Sequence, residues 1–166
     1  MFKLYHSKGV VNNSFVNDVY PGTSLDTDAE LINGKAVVIT SGLLETAATN
    51  GSIAGILAIE PGTVNFGNDE QGNPIGGPAK GVTELPLWMP VGRETLIEAD
   101  TAASAALVIG TAYDIAAGGL TVDLAATVNG DFKVLKIIEG TDDGDGTGSA
   151  VTKVAGVFTD TTGYFA

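Results

Sequence analysis

Short apolar segments, each bounded by glycine, asparagine or proline, are the feature that most constrains how this chain folds. The pair Asn33–Gly34 precedes the β-branched run 35–40, and Gly118–Gly119 lies between 111–115 and 120–124 as a hairpin turn would. Short runs of this kind between turn residues are typical of β-strands. The predicted strands are 35–40, 52–60, 111–115, 120–124, 132–139 and 151–159. Since no long amphipathic helical pattern separates them, we expect an all-β barrel or sandwich and not an α/β fold.

Three segments allow more specific predictions of secondary structure and burial. The predicted strand 52–60 is apolar at both alternating sets of positions, which indicates a strand buried on both faces. The segment 85–90 contains two prolines, and proline fits only an edge strand or an extended segment, because it cannot donate to a β-ladder. The only predicted helical turn is 102–106.

The chain divides into an arm and a domain. Residues 1–30 combine aromatic and acidic side chains without a helical or strand period, so we expect an extended N-terminal arm that lies on another surface. Residues 31–166 form the predicted β-barrel or sandwich domain. Within that domain, 61–83 is rich in Gly, Pro and Asn and is predicted to be a long loop.

The charge balance excludes two classes of partner. Asp and Glu number 20 against 8 Lys and Arg, which gives a formal net charge of −12. Nucleic acids and anionic membranes attract cationic surfaces, so neither is expected as the main partner. Only 17% of the residues are charged while 44% are hydrophobic, which favours a surface partly covered by protein partners. The first residues carry no apolar run of signal-peptide length, so we expect a protein made and used without export.

The sequence contains few side chains of the kinds that catalysis requires. The chain has one histidine, His6, one arginine, Arg93, and no cysteine. A Gly-x-Ser-x-Gly nucleophile motif and a phosphate-binding glycine loop with its lysine are both absent. Nothing in the sequence selects a catalytic pair among the 20 acidic residues. We therefore expect a protein that is not an enzyme, with no catalytic residues and no cofactor.

One acidic loop resembles the start of a calcium-binding loop. Asp143 and Asp145 occupy the first and third positions of such a loop, and Asp142 precedes them. The twelfth position, which requires a bidentate Glu, is Val154. We therefore predict no tight calcium site and no other metal site.

Several strand and turn segments resemble the capsid decoration (cement, or head-stabilising) proteins of tailed bacteriophages. The opening Gly34-Lys35-Ala36-Val37-Val38-Ile39, followed by Ile53-Ala54-Gly55-Ile56-Leu57-Ala58, is similar to the start of those proteins. The resemblance continues through 113–121, 132–135 and the closing Ala155-Gly156-Val157-Phe158, and it covers roughly 31–159.

The resemblance implies a fold, a place and a function. The fold would be a small β-barrel or a β-tulip-like sandwich. The protein would be made in the host cytoplasm and would bind the outer capsid surface of the virion, where it clamps neighbouring major capsid subunits. Its partners would be the major capsid protein and copies of itself, as a homotrimer or a dimer. The alternative is a phage tail or fibre domain, or a cell-surface adhesin β-domain, that binds a receptor.

The residues that such contacts would use are chosen from side-chain type alone. Aromatic and methionine side chains are enriched in the cores of interfaces. For Trp88 the alternative is that it fills the inside of its own barrel. The predicted interface residues are Phe2, Leu4 and Tyr5 of the arm, together with Leu87, Trp88 and Met89.

Overall fold

The protein is all-β, as the turn pattern predicts. The computed structural model describes residues 1–6, 13–16, 20–21, 23–25, 32–47, 53–57, 85–88, 96–102 and 106–159. The only helical element in those residues is a 3-10 turn, Thr23–Leu25. The strands in chain order are β1 (Phe2–His6), β2 (Asn13–Val16), β3 (Tyr20–Pro21), β4 (Ala36–Thr40), β5 (Leu43–Thr46), β6 (Ile53–Leu57), β7 (Leu85–Trp88), β8 (Leu96–Thr101), β9 (Leu107–Val108), β10 (Ala112–Ile115), β11 (Thr121–Asp123), β12 (Phe132–Asp142) and β13 (Thr147–Phe158).

A near-closed ring of strands organises the first sheet. Its order is β1-β8-β11-β10-β12-β13-β9, and an additional pairing between β8 and β13 brings its two sides together. Strand β8 has β13 on one edge, and its other edge is shared between β1 and β11. β1 pairs along Leu96–Ala99, whereas β11 pairs in parallel at Asp100 and Thr101. The first residues of the chain therefore complete the wall of the ring.

The second sheet has the order β2-β7-β6-β4-β5-β3. Its pairings are antiparallel except for β3 with β5. All five residues of β6 are buried, which confirms the prediction of a strand without a polar face. The sequence predicts an edge strand or an extended segment at 85–90. This prediction is wrong for β7, which is an interior strand between β2 and β6. Pro86 lies opposite Phe15 of β2, and the described pairing of β7 with β6 is at Leu87 and Trp88.

The hairpins were predicted correctly, but their lengths differ. β10 and β11 pair antiparallel across Gly118–Gly119. β12 and β13 extend further toward each other than predicted, so only residues 143–146 remain between them. The long loop 61–83 and most of the predicted helical turn lie outside the described residues.

Three phenylalanine rings form the centre of the core. Phe2 is fully buried, with ring centroids 5.7 Å from Phe132 and 5.4 Å from Phe158, and the last two rings meet edge to face at 5.4 Å. This placement corrects the expectation that Phe2 contacts another subunit, since its side chain has no exposed surface to offer. The same hydrophobic cluster includes Ala36, Val38, Ile53 and Ile56 of the second sheet, so both sheets share one core.

Backbone hydrogen bonds join the two sheets at a short junction. The N–H of Phe2 donates to the Gly34 carbonyl at 2.9 Å, and the Gly34 N–H donates to the Leu57 carbonyl at 2.8 Å. The Ala36 N–H donates to the Gly119 carbonyl at 2.7 Å. Gly119 has a φ of +67°, and a Cβ there would lie 2.7 Å from the Ala36 carbonyl oxygen. Glycine is therefore required at this position both by its backbone conformation and by the closeness of β4.

The buried position of Phe2 generates the first prediction. Phe2→Ala is expected to lower the free energy of unfolding by about 3–5 kcal/mol, because it removes one of three contacting rings from the core. Lys3→Ala, a change in the same strand at a side chain that is 54% exposed, should alter it by less than about 1 kcal/mol. Urea denaturation followed by circular dichroism measures both. Equal effects of the two changes would contradict the placement of Phe2 in the core.

The junction generates the second prediction, for which the chain supplies a matched control. Gly118 and Gly119 both have positive φ, but a Cβ at Gly118 would meet nothing within 4 Å. Gly118→Ala is therefore expected to lower the free energy of unfolding by about 1–2 kcal/mol, which is the cost of placing an L-residue in a left-handed backbone conformation. Gly119→Ala should destabilise by about 1–3 kcal/mol more, because its Cβ would collide with β4. Thermal unfolding of the two variants checks the difference, and a Gly119 variant as stable as the Gly118 variant would refute the close approach.

Candidate functional site

The predicted interface residues other than Phe2 are placed by their backbones only. Leu4 lies opposite Ile97, and Tyr5 follows it in β1. Leu87 lies opposite Ser14 and Leu57, and Trp88 lies opposite Asn13 and Ile56. The side chains of these four residues, and all of Met89, lie outside the described part of the chain. Their contact with another subunit, and the alternative for Trp88, stay predictions.

The acidic loop between β12 and β13 uses its carboxylates to form turns. Asp142 Oδ1 accepts the N–H of Gly144 at 3.0 Å, and Asp145 Oδ1 accepts the N–H of Thr147 at 2.9 Å. Hydrogen bonds from the hydroxyl and then the amide of Thr147 lower the pKa of Asp145. Within the described residues no three potential metal-ligating side chains come together. Two of the three predicted loop aspartates thus have structural partners.

A network of ion pairs runs across the outside of the ring. Glu98 of β8, whose side chain is only 12% exposed, accepts Lys3 of β1 at 2.7 Å and lies 3.8 Å from Lys153 of β13. Lys153 also pairs with Glu139 of β12 at 2.8 Å. The hydrogen bond from Lys153 and its charge lower the pKa of Glu139. Four neighbouring strands are linked in this way, although each exposed pair contributes little by itself.

Sequence reasoning did not identify the buried carboxylate of Asp114. Asp114 is 4% exposed, and its Oδ1 accepts the N–H groups of Asn129 and Gly130, both at 2.8 Å. Its Oδ2 accepts the Asn129 side-chain amide at 3.2 Å. The Asn129–Gly130 turn signal was visible in the sequence, but its partner 15 residues earlier was not. Asp114 therefore fixes the loop that enters β12.

Asp131 lies next to this buried group. Its Oδ2 accepts the Ile115 N–H at 3.3 Å. Burial raises the pKa of Asp131, the Ile115 hydrogen bond opposes that shift, and the nearby charge of Asp114 adds to it. The two carboxylates hold backbone groups of neighbouring segments, which is a structural use of acidic residues.

One edge of β12 has a described partner strand over only part of its length. β10 pairs with β12 only at Phe132 and Lys133, and Val134 exchanges hydrogen bonds with Gly110 and Thr111. Beyond Val134 the described pairings of β12 are all with β13, on its other edge. Leu135 on this stretch is 43% exposed, which is high for a large apolar side chain. Among the described strands, this stretch of β12 therefore has a neighbour on one edge only.

Comparison with protein-family models finds no match, and comparisons with curated proteins and with solved structures find no significant similarity. No helix in the described residues has the length and apolar character needed to span a membrane.

The environment of Asp131 generates the third prediction. A carboxyl whose pKa is raised in the folded state holds its proton more tightly there than in the unfolded chain. Its contribution to the stability of the fold is therefore present below its ordinary pKa of 3.8. That contribution is lost as the pH rises through the raised pKa of the folded state. Asp131→Asn keeps an oxygen that can accept the Ile115 N–H but cannot ionise. Its free energy of unfolding, relative to the unmodified protein, should therefore increase between pH 3.5 and 7.

Urea denaturation at several pH values measures this difference. Asp143→Asn is the control, because it removes the same charge at an exposed position and should give a smaller pH-dependent gain. A constant difference between Asp131→Asn and the unmodified protein across the range would contradict the burial of Asp131.

Proposed function

We propose that this chain is a structural capsid decoration protein of a tailed bacteriophage. It binds the outer surface of the head and clamps neighbouring major capsid subunits, with copies of itself as further partners. It works without catalysis and without a cofactor. The alternative of a tail, fibre or adhesin domain is distinguished by the experiment below.

The observation that carries the proposal is the arrangement of the segments that resemble decoration proteins. The segments 113–121, 132–135 and 155–158 belong to strands β10 to β13 and their turns, which lie side by side in the ring. The segments 34–39 and 53–58 contribute β4 and β6, which pair in the second sheet. Both groups contact the same hydrophobic core. The resemblance therefore follows a continuous folded unit and is not scattered over unrelated elements.

The construction of the unit suits a load-bearing attachment. A single core links both sheets, and the strand nearest the start of the chain is bonded into the ring, so the described part cannot be pulled apart without breaking the core. Individual contacts of such a small protein with a shell are weak. Repeated copies on a symmetric lattice, or linked copies of the chain, raise the overall attachment by avidity.

Particle stoichiometry tests this proposal. Purified virions of the phage that encodes the chain should contain it in hundreds of copies, in a fixed ratio to the major capsid protein, as measured by quantitative mass spectrometry. A few copies per particle would indicate a tail or fibre component, and none would exclude the proposed function. Particles made without the gene should assemble but release DNA at lower temperature and after milder osmotic shock. Survival equal to that of complete particles would contradict the clamping role.

A further inference from the structure

A single carboxylate holds three N–H groups of the Asn129–Gly130 pair. Asp114 Oδ1 accepts the backbone N–H of Asn129 and that of Gly130, both at 2.8 Å, and Asp114 Oδ2 accepts the Asn129 side-chain amide at 3.2 Å. Asp114 is buried, whereas Asn129 and Gly130 are half-buried and the preceding Val128 is 91% exposed. The pair therefore lies at the surface, where water reaches it, while its N–H groups face a buried negative charge.

An Asn–Gly pair can modify itself without an enzyme, and asparagine is one of the thermolabile residues for this reason. The backbone nitrogen of the glycine gives up its proton to solvent and attacks Cγ of the asparagine. The Cγ–Nδ2 bond breaks, and Nδ2 takes up a proton and leaves as ammonia. Water then opens the resulting succinimide at either of its carbonyl carbons, which leaves an aspartate or an isoaspartate. Glycine favours the ring closure, because it has no Cβ to hinder the attack.

We propose that Asn129–Gly130 is a self-modification site at which Asp114 suppresses deamidation, and that deamidation, once it occurs, irreversibly releases the loop that enters β12. The modified residue is Asn129, the attacking nitrogen is that of Gly130, and water is the only co-reactant. The inference concerns the covalent structure of the chain itself, so it goes beyond the proposed function and does not depend on it.

The charge of Asp114 opposes the first step of the reaction. Ring closure requires the Gly130 nitrogen to lose its proton, and the resulting negative nitrogen would lie within hydrogen-bonding distance of a carboxylate. Like charges at such a distance disfavour ionisation. Asp131, the next residue, lies close enough to Asp114 for their charges to interact, and it acts in the same sense. The hydrogen bonds to Asn129 also restrain the backbone and side-chain rotations by which Cγ approaches that nitrogen.

Deamidation turns an attraction into a repulsion. The amide that donates to Asp114 Oδ2 becomes a carboxylate, so a buried acidic group loses a donor and gains a like charge beside it. The isoaspartate product also lengthens the backbone by one methylene, which separates the two N–H groups that share Oδ1. Thr159 joins the same loop to the end of β13, because its hydroxyl donates to the Gly130 carbonyl at 2.6 Å. Release of the loop therefore reaches the ends of both long strands.

A second Asn–Gly pair in the same chain has a neutral acceptor for its glycine N–H. The Gly34 N–H, next to Asn33, donates to the Leu57 carbonyl at 2.8 Å. Removing the charge of Asp114 should therefore accelerate deamidation of Asn129 and leave that of Asn33 unchanged. Because both pairs are in one polypeptide, they share every solution condition, and Asn33 reports general opening of the fold.

Peptide mapping by mass spectrometry measures deamidation at both pairs during incubation of the full chain at mildly alkaline pH. Asp114→Asn keeps an oxygen that can accept the two backbone N–H groups but removes the charge. We expect it to accelerate deamidation of Asn129 by roughly tenfold or more, and that of Asn33 by less than about twofold. An unchanged or slower rate at Asn129, or an equal rise at both pairs, would overturn the role of Asp114.

A comparison without any substitution repeats this test. In the protein as it stands, deamidation of Asn129 should be at least about tenfold slower in the folded state than in urea, where Asp114 no longer contacts the pair. Equal rates in the two states would overturn the proposal, even if Asp114→Asn does not fold.

The release of the loop is tested by a variant that reproduces the product. Asn129→Asp places the aspartate at once, and Asn129→Ala, the control, removes the same hydrogen bond to Oδ2 without adding charge. The Asp variant should unfold at a temperature at least about 2 °C below the Ala variant, and its Gly130 amide should exchange hydrogen faster. Equal unfolding temperatures and equal exchange would contradict the release, whatever the copy number in particles.

Discussion

The contact on which the rest of the structure depends is the burial of Phe2 between Phe132 and Phe158. Phe132 begins β12 and Phe158 ends β13, so the two outer rings belong to one hairpin, while Phe2 comes from the start of the chain. The same residue donates its N–H to Gly34, whose own N–H reaches Leu57 of the second sheet. One residue therefore joins the ring, the hairpin and the second sheet. Because each buried aromatic ring removes a large apolar area from water, the short strand β1 contributes more to the stability of the fold than its length suggests.

The buried polar groups also help to hold the strands and loops of the fold together. Burying a carboxylate is unfavourable unless hydrogen bonds compensate for lost water. Asp114 meets that requirement with two backbone amides and the Asn129 side chain. Burial raises the pKa of Asp131, because its one hydrogen bond, from the Ile115 N–H at 3.3 Å, lowers the pKa by less than burial and the nearby charge of Asp114 raise it. The loop before β12 is thus held by acidic residues, and part of the acidic excess of the chain has a structural use.

The local sequence pattern predicted strands and turns. Contacts between residues far apart in the sequence determine how those strands pair and pack. The β10–β11 hairpin and the fully apolar β6 followed from turn pairs and from the two alternating sets of side chains. Phe2 could not be placed, because a single aromatic near the end of an aperiodic segment looks the same whether it meets a core or a partner. A barrel was predicted as one of two fold types, but the strand order of the ring was not predictable, since the pairing of β8 with β13 joins residues more than 50 apart and leaves no local signal.

A ring of strands removes the open edges of a sheet only where its members are equally long. Here β12 has 11 residues, and its neighbour β10 has 4. The excess length follows β13, which continues with it to the loop, and so one side of β12 necessarily lacks a described partner past Val134. An edge of this kind is exposed to unspecific pairing, and charge is the usual protection against it. The unequal lengths of two neighbouring strands thus determine where the described part of the ring leaves β12 with a partner on one edge only.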